Sequence, residues 1–339
     1  MESTQTAFAP AVTAELDSML RDQLLDRRDR LEIARDRNVI DPDVARLLSE
    51  VDAALQRFEK GTYGLCEECH DPIEADRLLA DPLMRVCLGD LSTKQRQALE
   101  TDLELASEIQ NALLPRSHAE ADAWAVDFVY QPAGIVSGDY VDVIRHDGEL
   151  YFILGDVSGK GMAASLLMSN LHAMFHSLVP LGLPLHELMD RANRIFCEST
   201  LANQYATLIC GKINAAGEVE MCNAGHLPPV LFKNGGYDVL DSTGLPLGMF
   251  CDSNFSASCV KLDDGDALLL YTDGVTEAVD ERGEEFGLQR LIDSVSQFSS
   301  GEPGELVSKS MMSVENYRGN GAKTDDLTLL ALKFAGGQN

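Results

Sequence analysis

Basic residues are scarce in this chain. Among its 339 residues, 27 Lys and Arg stand against 55 Asp and Glu, which gives a formal net charge of −28 at pH 7. Affinity for nucleic-acid backbones and for anionic membrane surfaces depends on clustered Lys and Arg. We therefore expect neither a nucleic acid nor a membrane as a partner.

A long apolar run is also missing. The most apolar neighbourhood, residues 163–188, is interrupted by histidines, an asparagine and two prolines, whereas a membrane-spanning helix needs about 20 apolar residues. The first basic residue is Arg21, and the segment before it lacks the pattern of a signal peptide. These absences predict a cytoplasmic protein, whose eight cysteines are expected to be thiols or metal ligands.

Two familiar catalytic motifs are absent as well. The glycine-rich run from Gly155 to Lys160 is one residue short of a phosphate-binding P-loop, and Gly161 replaces the hydroxyl residue that such a loop needs. Ser158 has Asp156 two positions before it, so the Gly-x-Ser-x-Gly nucleophile elbow is excluded.

Two helical patterns occupy the N-terminal part, after residues 1–12, which are expected to be disordered. Apolar residues recur at helical spacing from residue 14 to 34 and again from 44 to 58. Between them, Asp41 and Pro42 supply an N-cap and a first-turn proline. The pair of patterns predicts an antiparallel helical hairpin.

Cys66, Cys69 and Cys87 form a regular cysteine pattern after the hairpin. Two cysteines separated by two residues, with a third returning later, suggest a zinc site. The position three residues after Cys87 is Asp90 rather than cysteine. Because zinc also accepts carboxylate and imidazole, Asp90 or His70 is the expected fourth ligand. The alternative is a metal-free knuckle held by a small apolar core.

Residues 92–115 carry a further helical pattern with two apolar stripes. Leu103 and Leu113 belong to one stripe, and Leu105 and Ile109 to the other. Two stripes predict two packing partners. We expect a linker helix that also forms a homodimer seam; the alternative is a helix that packs only on its own domain.

From residue 116 to 336 the pattern changes to short β-rich runs separated by Gly, Asp and Asn. Many such runs with few helices predict an α+β fold with mainly antiparallel sheet. The expected organisation is a disordered N-terminus (1–12), a hairpin with a zinc-finger-like knuckle (13–91), a linker helix (92–115) and a C-terminal domain (116–336).

Aspartates stand at the ends of predicted strands in four motifs of this C-terminal region: Asp139, Asp156, Asp273 and Asp325. A strand that ends in Asp holds the carboxylate at the edge of a sheet, and an adjoining glycine leaves room for ions and water. Hard oxygen ligands of this kind suit Mg²⁺ or Mn²⁺ rather than zinc. A single Asp-Gly pair is most often a turn, but four motifs together indicate a metal site.

These motifs resemble, in order, those of the SpoIIE/RsbU-type branch of the metal-dependent (type 2C, PPM) protein phosphatases, over about residues 99–333. The resembling segments are Asp139, Gly155 to Gly161, Asn223-Ala-Gly-His226-Leu-Pro-Pro229, Tyr271-Thr-Asp-Gly-Val-Thr-Glu277 and Asp325-Asp-Leu-Thr-Leu329. The resemblance implies an antiparallel β-sandwich flanked by helices, with two Mn²⁺ or Mg²⁺ ions at one end.

The same resemblance implies the roles of individual residues. Asp156 bridges the two ions, and Asp139 shares one of them with the Val157 carbonyl. The other ion takes Asp273 and Asp325, with Asp326 as the alternative to Asp325. Water activated by both ions then attacks phosphorus in line, without a covalent phosphoenzyme.

His226, within the resembling segments, has two interpretations. An imidazole titrates in a range that suits protonation of the leaving serine or threonine oxygen. The alternative is that the segment around His226 is a structural turn.

The N-terminal unit resembles a different family, the DksA/TraR-type zinc finger behind a helical hairpin. The resemblance rests on residues 53–69, on Arg77-Leu-Leu-Ala80 and on Cys87. That family typically engages RNA polymerase. The sequence departs from the family at Asp90, where cysteine is usual, and at His70, where glycine is common.

The resemblances together imply a bacterial serine/threonine protein phosphatase in a signalling pathway. By family analogy its substrate is a phosphorylated anti-sigma-factor antagonist of the STAS type, and the N-terminal unit senses a signal. The rival hypothesis is a transcription regulator that binds RNA polymerase and uses the C-terminal domain as a scaffold. The complete set of acidic motifs favours the enzyme.

Overall fold

The computed structural model describes residues 19–29, 31–32, 42–87, 89, 93–115, 119–121, 123–201, 204–233, 236–296, 301–319, 321 and 323–336. The chain divides into two compact units, Met1–Asp102 and Leu103–Asn339. The segment 1–12, predicted to be disordered, and the predicted zinc ligand Asp90 lie outside the described residues.

Helices and a small cysteine knuckle make up the first unit. Residues 19–29 and 31–32 are helical (α1), and α2 (Pro42–Glu59) and α3 (Ala75–Ala80) follow. The apolar stripes meet, because Leu24 of α1 packs with Val51 and Leu55 of α2. This packing confirms the predicted helical region with a cysteine knuckle behind it.

Two antiparallel sheets form the second unit. One has six strands in the order β1-β2-β11-β10-β7-β8, and the other has five in the order β3-β4-β5-β6-β9. The strands are β1 (Ala119–Ala121), β2 (Trp124–Gln131), β3 (Asp139–His146), β4 (Glu149–Val157), β5 (Ala206–Ile213), β6 (Glu218–Ala224), β7 (Val230–Lys233), β8 (Gly236–Val239), β9 (Ser258–Lys261), β10 (Ala267–Tyr271) and β11 (Leu327–Phe334).

Helices accompany both sheets. They are α4 (Thr93–Leu113), which spans the boundary between the units, and then α5 (Met162–Leu178), α6 (Leu185–Ser199), α7 (Asp273–Thr276), α8 (Gly287–Val295) and α9 (Pro303–Arg318). Of these helices, α4 lies within residues 92–115, and its role as a linker stays a prediction.

The core is layered because strand residues alternate between faces. Val141 and Leu154 of the five-stranded sheet pack against Leu330 of the six-stranded sheet, in the layer between the sheets. Tyr140 and Ile153 lie on the other face, under α5 and α6, while α8 and α9 cover the outer face of the six-stranded sheet. The predicted β-sandwich flanked by helices is confirmed.

One expectation about the cysteines is wrong. Cys197 of α6 and Cys251 form a disulfide, with Cα atoms 5.8 Å apart, instead of remaining thiols or metal ligands. The reason is a tertiary contact, since the Asn193 side chain accepts Gly248 N–H at 2.9 Å and donates to the Phe250 carbonyl at 2.8 Å. This anchor holds the loop that carries Cys251 against α6.

Within the described part of the chain, every helix is too short or too polar to cross a bilayer.

Candidate active site

Asp139 and Asp156 lie side by side on neighbouring strands. Asp139 is the first residue of β3, and its cross-strand partner on β4 is Asp156. Directly paired side chains share a face of the sheet. Val141 and Leu154, two positions along on the same face, belong to the core between the sheets. Both carboxylates therefore lie at the end of the space between the two sheets.

Asp273 and Asp325 come from the other sheet. Asp273, the first residue of α7, is separated from β10 by Thr272 alone, and Asp325 comes just before β11, the antiparallel neighbour of β10. Their loops lie in close contact. A Cβ at Gly274 would collide with the Asp326 carbonyl oxygen, so this approach requires a glycine. The four aspartates predicted from the sequence are thus at the same end of the sandwich.

Two threonines orient the carboxylate of Asp139. Its Oδ2 accepts hydrogen bonds from Thr272 Oγ1 at 2.9 Å and from Thr328 Oγ1 at 2.5 Å. Thr328 N–H in turn donates to Thr272 Oγ1 at 3.0 Å, and all three side chains are buried. Two side chains at the end of the six-stranded sheet therefore hold the Asp139 carboxylate of the five-stranded sheet in a fixed orientation.

The sequence patterns alone do not indicate a role for these threonines. Each of them adjoins an acidic motif, Thr272 before Asp273 and Thr328 shortly after Asp326. A position beside an acidic motif is the one feature of the sequence that hints at a role for these threonines. Their contact with Asp139 depends on how the two sheets pack.

Asp325 and Asp326 have different surroundings. Asp326 accepts Ala133 N–H at Oδ1 (2.7 Å) and Gly138 N–H at Oδ2 (2.9 Å), so both of its oxygens bind the backbone before β3. Asp325 Oδ2 instead lies 2.9 Å from Lys160 Nζ. The two neighbouring carboxylates thus have different roles. Asp326 holds the loop before β3, and Asp325 lies beside the exposed amine of Lys160.

Burial and mutual repulsion raise the pKa values of this cluster. Burial first, and then the charges of Asp273 and Asp325, raise the pKa of Asp156 to about 8. Burial and the Asp156 charge raise the pKa of Asp139 well above its usual range, and burial followed by the Asp325 charge raises that of Asp273. Cations placed between such carboxylates would offset the repulsion.

The donor set fits a hard divalent cation. Aspartate oxygens and a backbone carbonyl are the ligands that Mg²⁺ and Mn²⁺ prefer. Gly138 leaves space beside them, because a Cβ there would lie 3.2 Å from the Val157 carbonyl oxygen and 3.7 Å from Asp156 Oδ1.

Among the described residues, groups of three or more His, Cys, Asp or Glu ligand atoms within 4.8 Å of one another occur at two places, and neither contains these aspartates.

A comparison with protein-family models places the domain that carries this site in a known family. The model of the family described as Stage II sporulation protein E (SpoIIE) matches residues 146–335, more than half of the chain. The chain belongs to the SpoIIE family. A second family model, the prokaryotic DksA/TraR C4-type zinc finger, matches residues 61–89.

Individual proteins support the same placement of this SpoIIE-family chain. Phosphoserine phosphatase RsbU of Bacillus subtilis is 28% identical over 244 residues, which cover 70% of this chain and 71% of RsbU. The RsbU and RsbW domains of Rv1364c from Mycobacterium tuberculosis have a TM-score of 0.57 at 25% identity, covering 65% of this chain and 62% of that one.

The fold is also that of solved PP2C domains. The SiaA-PP2C domain of Pseudomonas aeruginosa has a TM-score of 0.63 at 17% identity, covering 72% of this chain and all of that one (100%). At this identity the likeness concerns the fold alone, and it confirms the predicted phosphatase fold.

Helix α4 touches the acidic site of this SpoIIE-family chain through Gln110. The amide of Gln110 donates to the Ser137 carbonyl at 2.7 Å and accepts Ser137 N–H at 2.9 Å, and the side chain is buried. Ser137 Oγ accepts Asp139 N–H at 3.0 Å. A residue of the helix that was predicted as a linker is therefore two hydrogen bonds away from Asp139.

His226 has a structural environment. Its Nδ1 is 2.8 Å from Thr207 Oγ1, its Nε2 is 3.2 Å from the Tyr271 carbonyl, and burial lowers its pKa to about 4. Asn223 closes the turn by accepting His226 N–H at 2.8 Å. Both ring nitrogens are engaged inside the protein, which favours the structural turn over the general acid.

The cysteine knuckle of the first unit brings three sulfurs together. Cys66, Cys69 and Cys87 have Sγ atoms within 4.8 Å of one another, and the Cys69 and Cys87 sulfurs are 3.5 Å apart. Thiolates at this spacing fit a zinc ion. Among the described residues, His70 is not a member of this group.

Proposed function

We propose that this SpoIIE-family chain is a metal-dependent serine/threonine protein phosphatase, a phosphoric monoester hydrolase that uses two Mn²⁺ or Mg²⁺ ions. The observation that carries the proposal is the meeting of Asp139, Asp156, Asp273 and Asp325 at one end of a PP2C-type sandwich. The similarity to the phosphoserine phosphatase RsbU, which spans 70% of this chain, supports the same activity.

The proposed ligand assignment is the one that the family resemblance implies. Asp156 would serve both ions, Asp139 and the Val157 carbonyl would hold the first, and Asp273 and Asp325 would hold the second. Asp325 is preferred over Asp326 because both oxygens of Asp326 already accept backbone N–H groups. In this assignment Asp326 positions the loop that carries Gly138 and Asp139.

The chemistry divides between the ions and the chain. When bound, the ions supply an activated water near neutral pH and offset negative charge on the phosphoryl oxygens. The chain positions its oxygens for this purpose, with Thr272 and Thr328 holding Asp139 and Gly274 allowing the loops of Asp273 and Asp325 to meet. No side chain forms a bond to phosphorus.

The proposed substrate is a phosphorylated anti-sigma-factor antagonist of the STAS type, in a partner-switching pathway. The support is the similarity to RsbU and to the RsbU and RsbW domains of Rv1364c. We place control of the enzyme in α4, because Gln110 is hydrogen-bonded to Ser137 beside the acidic site.

A homodimer seam on α4 belongs to the same proposal. Leu105 and Ile109, which form one of the predicted stripes, are 54% and 55% exposed, whereas Gln110 on the other side of the helix is buried. Leu105→Glu should shift the molar mass measured by light scattering from dimer to monomer. A wild-type chain that is monomeric at all concentrations would exclude the seam.

Zinc is proposed for the first unit, with Cys66, Cys69 and Cys87 as ligands and Asp90 as the fourth. The match to a C4-type finger at residues 61–89 and the converging sulfurs support it. Metal analysis of the full chain should show less zinc in Cys69→Ser than in wild type; equal zinc would exclude Cys69 as a ligand.

The activity is tested by Asp156→Asn with a matched control. Asp147→Asn makes the same chemical change at the β3–β4 turn, where the side chain is 86% exposed. With Mn²⁺ and a phosphoserine peptide, wild type and Asp147→Asn should release phosphate, and Asp156→Asn should not. Undiminished turnover by Asp156→Asn would contradict the two-ion site.

A second candidate function is that of a transcription regulator binding RNA polymerase, with the phosphatase domain as a scaffold. The finger match at residues 61–89 favours it. Binding of purified RNA polymerase by the wild-type chain, its loss in Cys69→Ser, and the absence of phosphate release with Mn²⁺ would together reverse the order of the two functions.

A further inference from the structure

A second group of ligand-type side chains lies in the phosphatase domain, apart from the aspartate site. Asp142 of β3 and His172 and His176 of α5 have ligand atoms within 4.8 Å of one another. Asp142 is three residues from Asp139, so the two side chains lie on opposite faces of the sheet. Tyr140, on the face of Asp142, packs under α5. The sheet itself separates this group from the aspartate site.

The two histidines approach one carboxylate oxygen. His176 Nε2 is 2.8 Å and His172 Nε2 is 3.9 Å from Asp142 Oδ2. Their rings stack with centroids 4.1 Å apart, because residues four apart lie on the same side of a helix. A tetrahedral zinc ion with bonds of about 2.0–2.1 Å holds its ligand atoms about 3.3 Å apart. The observed distances lie on either side of that value.

The surroundings of Asp142 are those of an oriented ligand. Its side chain is 3% exposed, Tyr140 O–H donates to Oδ2 at 2.8 Å and Val143 N–H donates to Oδ1 at 2.7 Å. Outer hydrogen bonds of this kind fix a metal-binding carboxylate. The His176 side chain is 45% exposed, which leaves an approach for the ion and for a water as fourth ligand.

We propose that Asp142, His172 and His176 form a binding site for a divalent transition-metal ion of the zinc class. Imidazole suits zinc, whereas an all-oxygen set suits Mg²⁺ or Mn²⁺, so the two sites of this domain select different metals. An ion bound by these three side chains would link α5, which carries the two histidines, to β3, which carries Asp142. The inference does not depend on the proposed phosphatase activity.

The test counts zinc in the full-length chain, using a chromophoric chelator as competitor. In His176→Gln the amide still reaches toward Asp142 but the imidazole is gone. His186→Gln is the matched control, because His186 is exposed on the next helix, α6. His176→Gln should bind one zinc equivalent fewer than wild type and lose the part of the zinc-induced rise in Tm that this site contributes. His186→Gln should match wild type in both.

Equal zinc counts in His176→Gln, His186→Gln and wild type would overturn the proposal and leave an ordinary aspartate–histidine pair. A measurement on the wild-type chain covers the case of a variant that fails to fold. Zinc should protect His172 and His176, but not His186, from modification by diethyl pyrocarbonate. Equal modification of the three histidines with and without zinc would also overturn the proposal.

Discussion

Asp326→Asn tests the division of labour between the two adjacent carboxylates. Asp326 holds Ala133 N–H and Gly138 N–H with separate oxygens. Asparagine keeps one carbonyl oxygen and turns an N–H₂ group toward the other backbone donor, so one hydrogen bond to a charged group is lost. Such a bond contributes about 1.5–3 kcal/mol. We expect the free energy of unfolding to fall by about 2 kcal/mol, which for a domain of this size lowers Tm by about 4–8 °C.

Asp325→Asn is the matched control. Its contact with Lys160 joins side chains that are 30% and 55% exposed, and an exposed ion pair contributes about 1 kcal/mol or less. Removing the charge also relieves repulsion with Asp273 and Asp156, as the change at Asp326 does to a smaller extent. We therefore expect a small change in Tm for Asp325→Asn in EDTA.

The assay follows the fluorescence of the single tryptophan, the buried Trp124 of β2, in EDTA and in saturating Mn²⁺. In EDTA, Asp326→Asn should unfold below wild type. Mn²⁺ should then raise the Tm of Asp326→Asn but raise that of Asp325→Asn much less, because only the second variant loses a proposed ligand. An unchanged Tm for Asp326→Asn in EDTA, or the reverse pattern with Mn²⁺, would refute the assignment.

Three further substitutions test the supports of the site. Thr328→Val removes a hydrogen bond to Asp139 and should raise the Mn²⁺ concentration needed for half-maximal phosphate release at least several-fold; an unchanged Mn²⁺ titration would count against this role. Gln110→Ala removes the hydrogen-bond partner of the buried N–H and carbonyl of Ser137. The free energy of unfolding, measured by urea denaturation, should fall by about 2 kcal/mol. A variant as stable as wild type would show that this contact does not contribute to stability. Gly274→Ala should abolish turnover, because the new Cβ would collide with the Asp326 carbonyl. Gly134→Ala should keep its turnover, because its Cβ would meet only an ordinary contact at 3.6 Å. Equal rates for the two variants would contradict the close approach of Gly274 to Asp326.

Local patterns predicted most of the architecture. Short β-rich runs separated by Gly, Asp and Asn predicted an α+β fold with mainly antiparallel sheet, and the resemblance to the type 2C phosphatases implied the sandwich. The acidic motifs also predicted which residues gather at one end, since an Asp at either end of a buried strand is held at the edge of the sheet. The roles of these residues as metal ligands stay a prediction.

Other features depend on contacts between distant segments. The sequence could not distinguish Asp325 from Asp326, because the difference comes from backbone donors at Ala133 and Gly138, 193 and 188 residues away. The roles of Thr272 and Thr328 depend in the same way on the packing of one sheet against the other.

Two other predictions turned on single tertiary contacts. The sequence allows His226 to be either a general acid or part of a structural turn, and the partners of its two ring nitrogens favour the turn. The pairing of Cys197 with Cys251 followed from the Asn193 contact, which no local pattern indicates.

The most direct test of the two-ion site is X-ray diffraction from crystals grown with Mn²⁺, measured at the manganese absorption edge. The account predicts two anomalous peaks at the end of the sandwich, one beside Asp139 and the Val157 carbonyl and one beside Asp273 and Asp325, with Asp156 between them. A single peak, or none among these residues, would contradict it.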